Sequence, residues 1–258
     1  MTHSSERFEA ALARGAVYRF LSNLFVYPDP DVWAALHGEV TDHAANSWAS
    51  LGWSVSGFEP LRSTLLESSR ELFEAEYVSI FGHTAAGRVP PYEARYGPRH
   101  LFQETECLAD IAGFYGAFGL ETAQACRERP DHIAVELEFV HVLGVKEAYA
   151  LENHWSERAA LCVEARRDFM QQHLARWAPS FLRRLAEAAS RGLFEKVAEV
   201  TAACLAADLL SLGVSAPSDD LELSEVTLDP AGSNFSCAAE GDADGVTSHG
   251  FPLKEEVG

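Results

Sequence analysis

The chain of 258 residues carries 39 acidic against 20 basic side chains, a formal net charge of −19. Such an excess argues against nucleic acid as a partner and favours basic ligands. A content of 47% hydrophobic and 23% charged residues fits a soluble globular protein able to bury a core, and charges such as Arg19 and Lys146 interrupt the apolar runs that a transmembrane span would need.

The N-terminus places Glu6 and Glu9 ahead of Arg14, which is not the basic-then-apolar order of a secretory signal. Ser4 or Ser5 is placed to cap a first helix on which Phe8, Leu12, Ala16, Phe20 and Leu24 recur near a 3.6-residue period. Tyr27-Pro28-Asp29-Pro30 ends it, and Asp31 opens a second helix bearing Val32, Trp33 and Leu36. From Thr41 to Gly57 the pattern weakens to a loop with a short helical piece. Pro60 begins the next helix, whose face of Leu61, Leu65, Leu72, Phe73, Tyr77, Ile80 and Phe81 runs to Gly82. Helices follow over Leu101–Phe118, Asp131–Leu151, Glu157–Trp177 (closed by Pro179), Phe181–Ser190 and Leu193–Leu212. No alternating β-branched run appears. The expectation is an all-α single compact domain of seven to nine helices over residues 1–213. Residues 216–258 hold ten acids and one lysine among Ser, Gly, Pro and Ala, so 214–258 reads as an acidic tail too poor in apolar surface to order itself.

Two runs carry unusual chemistry. Arg129-Pro130-Asp131-His132 has the form of a helix start, with Asp131 placed to cap it. The apolar helix that follows contains Glu136 and Glu138, and Ile133, Val135, Leu137, Phe139, Val140, Val142 and Leu143 cover nearly its whole circumference. At least one of those carboxylates must therefore sit among apolar neighbours. The second run, Pro90-Pro91-Tyr92-Glu93-Ala94-Arg95-Tyr96, is a stiff turn flanked by aromatic rings. Glu138-Phe-Val-His141 has metal-ligand spacing, and His132 lies one turn from Glu136, but a di-iron bundle needs a second Glu-x-x-His run and none exists. The five cysteines (107, 126, 162, 204 and 237) show no ligand spacing and read as reduced thiols of a cytosolic protein. Nucleophile elbows, P-loops and dinucleotide fingerprints are absent. Neither an enzyme nor a metal site is expected.

Taken together, Glu76-x-x-x-Ile80-Phe81-Gly82, Pro90-Pro91-Tyr92-Glu93-x-x-Tyr96, Gly119-Leu120 and Pro130-Asp131-His132-Ile133-x-x-Glu136-Leu137-x-Phe139 resemble the TorD/DmsD/NarJ-type molybdoenzyme chaperones. His173-Leu-x-Arg-Trp177-x-Pro179-x-Phe181 looks like a later helix junction of that family. The resemblance spans roughly residues 8 to 212; Ile80 stands where Leu is more usual and Ala94 where Ser is, and nothing in the pattern accounts for the tail. It implies an all-helical, cofactor-free cytoplasmic chaperone, monomer or dimer, without integral membrane association. Such a protein binds the N-terminal leader of a molybdenum-cofactor enzyme's catalytic subunit, often a twin-arginine leader, until cofactor insertion is complete. Carried over as leader-binding are Phe81, Pro90, Pro91, Tyr92, Tyr96, Pro130, Asp131, His132, Glu136 and Glu138. The chemistry agrees, since a leader with arginines ahead of an apolar stretch needs carboxylates beside an aromatic groove. The alternatives are a helical metal-binding protein using His132, Glu136, Glu138 and His141, or a generic helical adaptor.

Overall fold

The computed structural model describes residues 3–53, 57–82, 88–97, 103–122, 128–189, 191–215, 221–223 and 253–255. Ten α-helices occur among them. The body is all-α, as the periodicity predicts, and it is organised around one element. That element is α7, Ile133–Glu152, of whose 20 residues 14 are buried, so neighbours must cover it on nearly every side. The long first helix, α1 (His3–Leu24), lies along it backbone to backbone. A Cβ built on Gly144 would meet the carbonyl oxygen of Ala11 at 3.0 Å and the Cα of Gly15 at 3.1 Å, so only glycine permits this approach.

Short helices α2 (Pro30–Leu36) and α3 (Glu39–Ser50) close over the outer side of α1. The stretch from Thr41 to Gly57, expected as a loop with a short helical piece, is helix as far as Ser50. Val40, Ala44 and Trp48 recur every four residues and are buried, so packing stabilises a segment of weak intrinsic preference. The single helix expected from Pro60 to Gly82 is two, α4 (Phe58–Glu67) and α5 (Arg70–Phe81). Ser68 turns extended, and the Ser69 hydroxyl accepts from Leu72 N, a cap that restarts the chain in a new direction.

After α6 (Gln103–Ala117), α7 leads into α8 (Ser156–Phe169). The chain then widens into a π segment, Met170–Leu174, and continues as α9 (Ala175–Ala189). Pro179 sits inside α9 rather than ending a helix. Trp177, Ala178, Phe181, Leu182 and Leu185 are buried on one side of α9, and that packing outweighs the hydrogen bond proline removes. The last helix, α10 (Leu193–Leu212), takes its cap from elsewhere: the Glu76 carboxylate of α5 accepts from Leu193 N and Phe194 N, each at 3.1 Å. A carboxylate at a helix N-terminus satisfies orphan donors and opposes the dipole, and Gly192 leaves the room it occupies.

Inside the bundle Asp208 of α10 accepts from Arg14 Nε and Tyr18 OH at 3.0 Å, with Arg166 Nη1 at 3.4 Å. This buried knot ties α1, α8 and α10. Of the acidic tail, Leu221–Leu223 lie on the body: Leu221 N donates to Ser180 Oγ at 2.9 Å and Gly97 N donates to Glu222 O at 2.9 Å. Farther on, Leu253–Glu255 (β2) pair antiparallel with Leu120–Thr122 (β1). Within the tail, residues 216–220, 224–252 and 256–258 lie outside the described residues.

Candidate functional site

The two unusual runs meet. Glu93 N donates to Asp131 O and Ile133 N to Pro91 O, both at 2.9 Å, so the Pro-Pro turn and the start of α7 are stitched as a short antiparallel bridge between Tyr92 and His132. Arg129 closes the stitch from the side. Its Nε and Nη2 each donate to the Asp131 carboxylate at 2.9 Å, while Nη1 reaches Glu104 of α6 at 2.6 Å. Burial opposes the charge on Arg129, but these two carboxylates outweigh it and raise its pKa. The second Asp131 oxygen also accepts from Ala94 N at 3.1 Å.

Asp131 is therefore not the cap expected of it. His132 is: its Nδ1 accepts from Ala134 N at 3.1 Å, and the helix begins at Ile133. Burial lowers the pKa of His132 despite Glu128 and Asp131 nearby, which keeps the ring neutral and Nδ1 free to accept. Nε2 is 3.7 Å from Glu128, which also accepts from Tyr92 OH at 3.1 Å. The Tyr92 ring stands edge-on to His132, with the Arg129 guanidinium 5.2 Å from its centroid.

Most residues singled out from the sequence converge here, but as an interior latch. Asp131 and Glu136 are 0% exposed, His132 1%, Glu138 4%, Phe81 5% and Tyr96 7%. Pro90 and Pro91 are buried; Tyr92 and Pro130 are half-buried. Tyr96 donates to Pro90 O at 3.0 Å and packs on Trp177 and Phe181, where Phe81 also lies. The aromatic groove expected between Phe81 and Tyr96 is filled by core side chains. Glu136 lies deeper, accepting from Trp177 Nε1 at 3.0 Å; burial first, then the neighbouring Glu93, push its carboxyl well above the ordinary range. The four residues of the metal alternative do not converge. His132 and His141 are nine positions apart along α7, about 13 Å, and His141 Nδ1 is engaged by Gly15 O at 2.8 Å.

What sequence reading missed is an open groove of about 620 Å³ among α6, α7 and α8. Phe114 and Phe118 form one wall; Tyr149, Trp155 and Leu161 form the other. Tyr149 and Leu161 are each 57% exposed and Trp155 40%, a cluster of large apolar side chains facing water. Lys146, Arg158, Glu164 and Asp168 rim it, and Arg158 stacks 4.5 Å from the Trp155 ring centroid. The available signal was modest: Tyr149, Trp155 and Leu161 fall off the buried stripes of α7 and α8. Among the described residues no helix is long and apolar enough to cross a membrane.

The family model described as nitrate reductase delta subunit matches residues 26–183. The chain belongs to that family. Within it, the chain is 32% identical to the chlorate reductase assembly chaperone protein of Ideonella dechloratans, over 68% of this chain and 77% of that one. It is 30% identical to the selenate reductase assembly chaperone protein of Thauera selenatis over the same shares. The chaperone protein TorD of Vibrio cholerae serotype O1 (strain M66-2) matches at 26% identity over 76% of this chain and 90% of its own. The TorD/NarJ kinship that the motifs carry is thus present over the body, and these relatives are named as chaperones, not as catalysts.

Proposed function

We propose that this protein is a cytoplasmic assembly chaperone that binds the N-terminal leader of a molybdenum-cofactor reductase's catalytic subunit and holds it until the cofactor is inserted. The observation that carries the reading is the exposed apolar groove joined to an acidic latch by one helix. The α6 residues Phe114 and Phe118 line the groove, while Tyr115 OH between them donates to Pro130 O at 2.8 Å. The leader's apolar stretch takes the groove, and its arginines take the acidic side: Glu128 beside Tyr92 and Pro130, then Glu104 and Glu106 along α6. Asp131, His132, Glu136, Glu138, Phe81, Pro90, Pro91 and Tyr96 act from behind, holding the surface that Tyr92 and Pro130 present.

Burying apolar surface yields roughly 25 cal/mol per Å², whereas an exposed ion pair yields about 0.2–1 kcal/mol. The groove therefore supplies most of the affinity and the carboxylates supply register. The test is calorimetric titration with a client leader, with one in which two apolar residues are serine and with one in which both arginines are glutamine. The serine peptide should lose more. Leu161→Ser, at an exposed position, should weaken the parent leader about tenfold. Retention of full affinity by both the serine peptide and the Leu161→Ser protein would refute the seat of binding.

A further inference from the structure

Beneath the latch lies a polar cluster that leader binding does not use. Glu93 begins the 3-10 turn Glu93–Arg95 and is buried. It faces His173, whose Nδ1 is 3.1 Å from Glu93 Oε2 and 3.3 Å from Oε1. Cys107, on the inward side of α6, completes the group: ligating atoms of Glu93, Cys107 and His173 all lie within 4.8 Å of one another. One turn along α6, Asp110 Oδ2 approaches the other ring nitrogen, Nε2, to 3.3 Å without the alignment of a hydrogen bond, so Nε2 has no bonded partner.

We propose that Glu93, Cys107 and His173 form a site for one divalent transition-metal ion, zinc above the others, with Asp110 orienting the imidazole. The donor set is one thiolate, one imidazole and one carboxylate from three separate elements, a combination that suits zinc and leaves a fourth position for water. Zinc bonds of about 2.0–2.3 Å in a tetrahedron put donors roughly 3.5 Å apart. Glu93 and His173 are already at that separation, and the half-buried Cys107 lies within 4.8 Å of both.

The backbone supports the assignment. His173 is carried by the π segment Met170–Leu174, and single widened turns of this kind are frequent at functional sites. In a metal-free protein burial and Glu93 push the Cys107 thiol up, toward the protonated form; a bound divalent ion would reverse that and release the proton. None of the three ligands belongs to the helix-spacing set considered from sequence, and the site is independent of the leader reading.

The full-length protein, stripped with a chelator, would be titrated with cobalt(II) alone. The expected result is one equivalent bound, with visible bands of a tetrahedral ion and a near-ultraviolet thiolate-to-cobalt charge-transfer band that zinc(II) bleaches. Cys107→Ser keeps a donor toward Glu93, and it should abolish the charge-transfer band and weaken metal binding at least tenfold, while Cys162→Ser leaves both unchanged. A second measurement needs no variant: zinc should protect Cys107 from alkylation, read by peptide mass, and leave Cys162 no better protected. Lack of the charge-transfer band in the wild-type protein, its survival in Cys107→Ser, or alkylation of Cys107 at the same rate with and without zinc would each overturn the proposal and leave a simple buried Glu93–His173 pair.

Discussion

Asp131→Asn separates a leader-contacting carboxylate from a structural one. Read from sequence, Asp131 meets the leader's arginines, and its loss should blunt the preference for arginine-containing leaders. Read from the structure, it is 0% exposed and accepts from Arg129 Nε, Arg129 Nη2 and Ala94 N. Asparagine keeps one acceptor oxygen. Its amide nitrogen must face one of those donors whichever way it is turned. Hydrogen bonds to a charged partner contribute about 1.5–3 kcal/mol each, and removing one member of a buried pair costs about 3–5 kcal/mol. Arg129, one-third exposed, retains Glu104 at 2.6 Å, which discounts the upper figure. The expected cost is therefore about 2–3 kcal/mol. For a body of this size that corresponds to a fall of roughly 4–12 °C in the unfolding midpoint. Thermal or urea unfolding measures it, and leader titration accompanies it: affinities for the parent and for the arginine-free leader should fall by the same factor. An unchanged midpoint, with a loss confined to arginine-containing leaders, would refute the latch and restore direct contact.

Two further outcomes probe the scaffold. Gly144→Ala should destabilise the protein by about 1–3 kcal/mol in urea unfolding, because the added methyl meets the α1 backbone at 3.0–3.1 Å and the two helices must part; a cost below about 0.5 kcal/mol would mean that they part freely. His141 is held near a pKa of about 4 by burial, helped by Arg19 and opposed by its hydrogen bond to Gly15 O. Its unfolded value is near 6.5, so the unfolded chain takes up the proton first. Stability from this group is complete above pH 6.5, falls between 6.5 and about 4, and is level below that, a loss of roughly 3 kcal/mol at most. His141→Asn, which keeps a donor for Gly15 O, should show a shallower fall across that window; an identical slope would assign the effect elsewhere.

Local chemistry was enough to find most of the helices, the all-α class and the family. An apolar stripe at a 3.6-residue period is a property of a short stretch and needs no knowledge of its partners, which is why α1, α7 and α10 were legible to within a few residues. Where the stripe was weak, as over α3, or ambiguous, as at Ser68-Ser69 and Pro179, packing decided. The latch shows the limit more sharply. The sequence marked Asp131, His132, Tyr92 and Tyr96 as unusual, yet whether a polar side chain faces water or a partner depends largely on residues far along the chain. Tyr96 is interior because Trp177 and Phe181 cover it, and Asp131 because Arg129 and the Ala94 amide satisfy it. Glu93, Cys107 and His173 share no spacing rule at all; the 3-10 turn, α6 and the π segment bring them together only when the bundle closes. Composition and periodicity determined what each segment is, because those forces act between near neighbours. Burial and charge satisfaction determined what each polar residue is for, because they are set by the far side of the fold.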